Sequence, residues 1–118
     1  MKKGLKKGRP MGVNNLTLLG NFGRDPEEKT LKNGDTLCRF SVGVGELVKG
    51  EQKTTWFNCV AFGSKAQYIL RSCQKGSGVF VEGPFRSEEY EGKVRWTMFV
   101  NNIVVYNNRK PGNDHGKS

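Results

Sequence analysis

The segment from Trp56 to Gly63 has the clearest chemical potential in this sequence. It reads Trp-Phe-Asn-Cys-Val-Ala-Phe-Gly, a run of aromatic and branched residues that is typical of a strand. Because side chains alternate along a strand, Trp56 and Phe62 should point to one face and Phe57 to the other. A small domain has one interior, so we expect at least one face to offer aromatic surface to something outside the core. That surface could stack on flat rings or pack against another subunit.

Residues that could support catalysis or metal binding are scarce. The single histidine, His115, lies in a polar C-terminal segment, so no Ser-His or Cys-His pair can form reliably within the fold. The three cysteines, Cys38, Cys59 and Cys73, lack paired metal-ligand spacing, and we expect buried free thiols. Gly43-Val44-Gly45 lacks the third glycine of a dinucleotide-binding motif. We therefore expect a protein that is not an enzyme and uses no metal or cofactor.

The formal charge of +9 is concentrated near the N-terminus. Residues 1–10 carry five lysines and arginines and no acidic residue, whereas residues 11–106 carry twelve basic and ten acidic residues. A basic arm could bind phosphate groups without sequence preference, or it could be a solubilising extension. The charge alone does not decide between these alternatives, so a ligand has to be argued from the nearly neutral body.

The 118 residues suit one domain. Polar, Gly-rich and Lys-rich ends predict a disordered arm over residues 1–12, a domain over 13–106 and a disordered tail over 107–118. The apolar runs are short for a membrane span, and the N-terminal lysines precede no apolar segment of signal-peptide length. We expect a cytoplasmic protein without membrane contact.

Five strands and one helix should position the aromatic residues. Alternation and turn signals predict strands over residues 14–19, 37–44, 56–63, 78–83 and 94–106. Residues 46–54 are polar and predict an extended hairpin loop, and a second hairpin is expected around Glu91-Gly92-Lys93. Helical spacing over 64–74, with Ser64 as the cap, places one helix between the third and fourth strands. This order predicts an all-β OB-fold, a five-stranded Greek-key barrel that commonly binds oligonucleotides.

Four segments closely resemble the bacterial and phage single-stranded DNA-binding protein family. They are Asn14–Glu27, Thr55-Trp56 with Val60–Gly63, Lys75-Gly76-Ser77, and Val79–Gly83. They occur in family order and at family-like intervals, and the match covers nearly all of residues 13–106. The resemblance implies a non-catalytic protein that binds single-stranded DNA in replication, recombination and repair, with bases stacked on aromatic rings and phosphates held by basic residues.

The resemblance places the stacking positions at Trp56, Phe62 and Tyr90. The family has a further stacking tryptophan near the loop between the second and third strands, where this chain has Leu47 and Val48. Each position has an alternative: Phe62 could be a core residue, Trp56 could lie in an oligomer interface, and an exposed Tyr90 could have no role.

Basic residues that flank the expected aromatic face or the hairpins are the candidate phosphate contacts. They are Arg24, Lys65, Arg71, Lys75, Arg86, Lys93 and Arg95. Arg86, Lys93 and Arg95, on the hairpin strands, are favoured, although three nearby glutamates oppose their charge. The alternative for each is a solvated surface charge. The remaining aromatic residues are assigned to core or subunit packing: Phe40, Phe80, Phe85, Trp96 and Phe99.

The resemblance also implies a homotetramer, or a dimer, that assembles through the first strand and the barrel surface. Replication and repair proteins are partners of family members that carry an acidic C-terminal tip, which Gly116-Lys117-Ser118 does not provide. Two other functions stay open. One is an adaptor on the same barrel that binds proteins, which the nearly neutral body and the missing aromatic favour. The other is RNA binding, because stacking does not sense the 2′-hydroxyl.

Overall fold

The computed structural model describes residues 11–107. Within them, eight strands and one helix follow one another along the chain: β1 (Leu16–Phe22), β2 (Glu27–Thr30), β3 (Thr36–Val48), β4 (Glu51–Phe62), α1 (Gly63–Ser72), β5 (Gly78–Gly83), β6 (Phe85–Tyr90), β7 (Lys93–Phe99) and β8 (Asn102–Asn107). Nearly all of the predicted disordered arm and tail lies outside the described residues, so that interpretation stays a prediction. No helix among residues 11–107 is long and apolar enough to cross a membrane.

The strands form one sheet in the order β6-β7-β4-β3-β1-β5-β8, and β2 pairs with the first residues of β3. The β4–β7 pair is parallel, and the other described pairs are antiparallel. The sheet is not closed by hydrogen bonds between β6 and β8, its two ends. This is the partly open barrel of an OB-fold. The predicted fold class, with its helix before the fourth main strand, is confirmed.

The strands differ from the predicted ones in several places. β1 continues to Phe22, beyond the predicted end at residue 19, and β2 and β6 are additional to the five predicted strands. Residues 46–54, predicted as a loop, continue the β3–β4 ladder to a tight turn at Lys49 and Gly50, both with positive φ. The predicted final strand, 94–106, is divided into β7 and β8. At the break the backbone N–H of Val100 donates to the carbonyl of Val60, and that of Asn101 donates to the carbonyl of Glu82. The chain therefore leaves β4 and joins β5 at this point.

The core lies between the inner face of the sheet and α1. Phe22 stacks on Phe40 with ring centroids 4.6 Å apart, and Ala66 and Ile69 of α1 are fully buried. Such side chains supply most of the hydrophobic free energy of folding, at about 25 cal/mol per Å² of buried apolar surface. Phe40 is thus a core residue, as predicted.

All three cysteines are buried thiols that take part in no disulfide within the described residues, as predicted. Burial raises the pKa of Cys38 and of Cys59 to about 12. Because the thiolate is the nucleophilic form of cysteine, these two residues are unreactive packing groups at neutral pH.

The start of α1 differs from the predicted one. The helix begins at Gly63, its N-cap is Phe62 without a side-chain capping bond, and Ser64 lies inside the first turn. The prediction that Ser64 caps the helix was wrong. Gly63 has a φ of +63°, a conformation that glycine adopts at little cost, and it turns the chain directly from β4 into α1.

Candidate nucleic-acid interface

The predicted stacking residues of β4 lie on the outer face of the sheet. Strand pairing places Trp56 opposite Gly43, Asn58 opposite Ser41, and Phe62 opposite Leu37. Trp56 is 57% exposed and Phe62 45% exposed, so Phe62 is not a core residue. We call this surface of β3, β4, β7 and β6 the aromatic face. Its existence follows from the alternation read in the sequence.

The Trp56 ring lies against two glycines. A Cβ atom at Gly43 would lie 2.6 Å from Cζ3 of the indole, and one at Gly23 would lie 2.5 Å from the same atom. Any larger residue at either position would therefore push the ring away. Gly23 belongs to the segment that follows β1, so the two sequence segments with the strongest family resemblance meet at this indole.

The segment after β1 is fixed by residues 75–77. The backbone N–H of Phe22 donates to the carbonyl of Ser77 at 2.9 Å, and that of Gly76 donates to the carbonyl of Phe22 at 3.0 Å. The backbone N–H of Lys75 donates to Oδ1 of Asp25 at 2.8 Å. These bonds hold the segment that carries Gly23 and Arg24 at the edge of the aromatic face.

Tyr90 is half-buried at the end of β6, and two guanidinium groups lie over its ring. Cζ of Arg39 is 4.0 Å from the ring centroid, and Cζ of Arg95 is 4.8 Å from it. Cations attract an aromatic ring electrostatically in this arrangement. A flat ligand at this end of the face would thus meet a tyrosine–arginine pair rather than a bare ring.

Arg39 is the residue of this face that the sequence analysis missed. Its Nη1 and Nη2 donate to the two carboxylate oxygens of Glu88, at 2.8 and 3.2 Å, and the Thr97 hydroxyl donates to Glu88 at 2.7 Å. The alternation of residues along β3 could have identified it. An arginine between the inward-facing Cys38 and Phe40 must point to the outer face or be paired with an acidic residue.

The ion pair changes the charge balance that the sequence predicted. Arg39 offsets the charge of Glu88, one of the three glutamates expected to oppose the hairpin arginines and lysine. Glu89 pairs with Val94 and, by alternation, lies on the opposite face of the hairpin. Glu91, at the turn, is the one of the three that lines a groove on the aromatic face. Of these three glutamates, Glu91 is therefore the one left to oppose the basic residues of this groove.

We expect Glu88 to make stability depend on pH. Hydrogen bonding to Arg39 holds the pKa of Glu88 below its ordinary value of 4.5; burial opposes this shift, and the Thr97 hydrogen bond and nearby positive charges reinforce it. Because the folded-state pKa is lowered, the stabilisation is present above the unfolded pKa and is lost as the pH falls through the folded pKa.

Urea unfolding at about pH 6 and about pH 3 would measure this contribution. Glu88→Gln should lose less unfolding free energy between the two pH values than the native chain loses. Glu89→Gln, on the opposite hairpin face, is the matched control and should behave like the native chain. Equal losses in all three proteins would contradict the assignment.

Several predicted phosphate contacts line the grooves of the aromatic face. Arg24 and Arg95 line a groove of about 290 Å³ together with Ser41, Asn58 and Tyr90. A neighbouring groove beside Trp56 is also lined by Arg24, Ser41 and Asn58. Trp56 and Tyr90 therefore lie at two ends of one continuous surface with arginine side chains between them.

Two further predicted contacts belong to the same face. The Arg86 guanidinium lies 5.5 Å from the centroid of the Phe99 ring, and Phe99 lies nearly parallel to Phe62, with centroids 6.4 Å apart. Lys93 pairs with Tyr90 across the hairpin and is exposed. Phe99 thus supports the aromatic face instead of filling the core.

The remaining three predicted contacts lie elsewhere. Lys65 and Arg71 are on α1, which packs on the barrel through Ala66 and Ile69, and none of the described grooves on the aromatic face includes them. Lys75 is exposed beside the loop that holds Asp25. None of the three lines the grooves beside Trp56 and Tyr90.

An open OB-fold barrel with exposed aromatic and arginine side chains on one sheet face is typical of the class of proteins that bind oligonucleotides. The comparison with known families is more specific. Residues 13–109 match the single-strand binding protein family, and the chain belongs to that family.

Two curated relatives illustrate the match. Both are named single-stranded DNA-binding protein, one from Neisseria meningitidis serogroup A, serotype 4A, and one from serogroup B of the same species. Each is 33% identical over 88 residues, which cover 70% of this chain and 51% of the relative. The chain spans about half the length of the curated relatives it matches.

Proposed function

We propose that this protein binds single-stranded DNA, largely without sequence preference and without catalysis. The observation that carries the proposal is the exposure of Trp56 and Phe62 on one face of the sheet. Large aromatic side chains exposed together are costly in water and mark a binding surface. Every base offers a flat π-face, so stacking on such rings stabilises a complex by about 1–3 kcal/mol per base, whatever the sequence.

The two rings would hold different bases of the same strand. Trp56 and Phe62 are six residues apart on β4, which corresponds to about 20 Å along a strand. Between them and the hairpin, Arg24, Arg86 and Lys93 would contact phosphates, and Arg95 would contact the strand beside Tyr90. We propose Tyr90 as a third stacking position that acts together with its arginines. Lys65, Arg71 and Lys75 would contribute only if the DNA continues past α1.

We also propose that copies of this chain associate, as a homotetramer or a dimer, through the outer face of β1, β5 and β8. Leu19 pairs with Phe80, and Phe80 with Val104, so these three side chains form an apolar row across the strands. Leu19 is 60% and Val104 49% exposed. A self-complementary apolar patch is typical of a symmetric interface. In cells, the assembly would keep single strands unpaired in the cytoplasm during replication, recombination and repair.

One observation favours the adaptor function as a second candidate. Val94 and Trp96, on the opposite face of the β6–β7 hairpin, are 69% and 55% exposed. Trp96 contacts Phe85, with ring centroids 5.6 Å apart, and it is not buried within the chain. Trp96 is therefore not a core residue, and a partner protein could bind this surface.

Competition binding would test the proposed function. A labelled thymidine oligonucleotide is titrated with the protein at about 0.15 M salt, and unlabelled competitors are then added while fluorescence anisotropy is followed. We expect single-stranded DNA to displace the label and duplex of equal length to leave it bound. Equal displacement by duplex would contradict the proposal. Equal displacement by RNA of the same sequence would extend the ligand to single strands of both kinds.

A further inference from the structure

The groove beside Tyr90 has a chemistry that stacking alone does not explain. Its volume of about 290 Å³ is near the lower end of the range for small-molecule sites. Its lining combines guanidinium groups, from Arg24, Arg39 and Arg95, with several carboxylates and the amide of Asn58. We propose that this groove is a base-binding pocket that prefers guanine, an inference that rests on the proposed function.

The mixture of charges disfavours a phosphate as the occupant. Asp25, Glu27 and Glu91 line the groove, and their carboxylates would repel an anion. Glu27 is the cross-strand neighbour of Arg39, so an acidic and a basic residue start from the same face of the sheet as a pair of opposite charge. A neutral group with both donors and acceptors satisfies such a pair better than an anion does.

Two arginine residues that line this groove each have a buried N–H donor without an acceptor in the described part of the chain. Nε of Arg39 and Nε of Arg95 are buried and have no hydrogen-bond partner within residues 11–107. Buried donors without acceptors are costly, and acceptors on a ligand in the groove could remove that cost. Arg39 already uses both Nη atoms on Glu88. Arg95 is therefore the arginine that we assign to the ligand.

Guanine is the base that matches both kinds of group. Its O6 and N7 accept two hydrogen bonds from an arginine, the commonest specific contact to this base. Its N1–H and N2–H groups can both donate to one carboxylate, which accepts through two oxygens. Thymine has a single N–H donor, and adenine and cytosine each have a single amino group. None of them can donate two parallel hydrogen bonds to the two oxygens of one carboxylate.

Glu27 is the carboxylate that we assign to the guanine. It lies on β2, which the ladder with β3 holds in place. Oδ1 of Asp25 already accepts a hydrogen bond from the backbone of Lys75, and Glu91 lies in the hairpin turn with a φ of +52°. Guanine would then be hydrogen-bonded by Glu27 on one edge and by Arg95 on the other, with the purine ring beside Tyr90.

A set of four thymidine oligonucleotides tests the pocket. They have equal length and carry dG, dA, dC or dT at one central position, so that the guanine cannot form four-stranded structures. Competition anisotropy should show the dG oligonucleotide binding about tenfold more tightly than the all-thymidine one, because one bidentate contact discriminates by roughly this factor. Glu27→Gln should reduce the preference, because glutamine has one acceptor oxygen where the carboxylate has two. Glu28→Gln is the matched control, because Glu28 is exposed on the same strand and alternates to the other face.

The outcomes separate this inference from the proposed function. Equal affinity for all four oligonucleotides would overturn the pocket and leave single-strand binding intact. A preference for guanine that Glu27→Gln leaves at its full size would overturn the pocket as its source. Failure of all four to bind would overturn the proposed function and the pocket with it. Glu27 is exposed at the sheet edge, so its substitution should not prevent folding.

Discussion

Trp56→Ala is expected to weaken the binding of a single-stranded oligonucleotide by about 5- to 150-fold, the equivalent of the 1–3 kcal/mol that one base–aromatic stack contributes. The indole is 57% exposed on the aromatic face, and the two glycines against which it lies keep it in place. Its removal therefore deletes a preorganised platform from the free protein. Phe62→Ala should act in the same direction.

Folding should change much less than binding in this variant. Truncating a fully buried aromatic costs about 3–5 kcal/mol of unfolding free energy, and we expect less than about 2 kcal/mol at this half-exposed site. The matched control is Trp96→Ala, because Trp96 is 55% exposed but lies on the opposite face of the hairpin. It should bind like the native chain. Equal losses of affinity in the two variants, or a folded Trp56→Ala protein with unchanged affinity, would contradict the assignment.

Arg39→Met is expected to lower the unfolding free energy by about 2 kcal/mol. It leaves the Glu88 carboxylate half-buried without the guanidinium that now binds both of its oxygens. Breaking a fully buried ion pair costs about 3–5 kcal/mol. The loss should be smaller here because both side chains keep some exposure, 17% for Arg39 and 16% for Glu88.

The double variant Arg39→Met, Glu88→Met is the control for this prediction. A hydrophobic pair often replaces a buried ion pair with little loss, so the double variant should recover most of the stability that Arg39→Met loses. Urea unfolding with an unchanged m-value would measure both effects. A single variant as stable as the native chain would show that the pair does not stabilise the fold. A double variant as unstable as the single one would show that the unpaired Glu88 carboxylate is not the cause of the loss.

The sequence predicted the aromatic face because period-two alternation along β4 depends only on local geometry. Trp56 and Phe62 had to share one side once the segment was a strand. The helix was predicted for the same kind of reason, since Ala66 and Ile69 follow the helical period. The break between β7 and β8 could not be predicted, because the strand-like pattern continues through it. It is set by the carbonyls of β4 and β5 that accept from Val100 and Asn101.

The part of the site around Tyr90 could not be predicted from local patterns either. Arg39 reaches Tyr90 and Glu88 only because the sheet order places β7 and β6 beyond β4. That order depends on the parallel pairing of three residues of β4 with three residues of β7. No short sequence motif predicts this pairing. The same long-range arrangement places Glu27 and Arg95 in one groove.

The fluorescence of Trp56 during titration with single-stranded DNA tests the central claim most directly. The sequence has two tryptophans, and Trp96→Phe leaves Trp56 as the only source of indole emission. We predict that a thymidine oligonucleotide quenches this emission in a saturable way and that duplex of equal length does not reverse the quenching. Unchanged emission while anisotropy reports binding, or full reversal by duplex, would contradict stacking on Trp56.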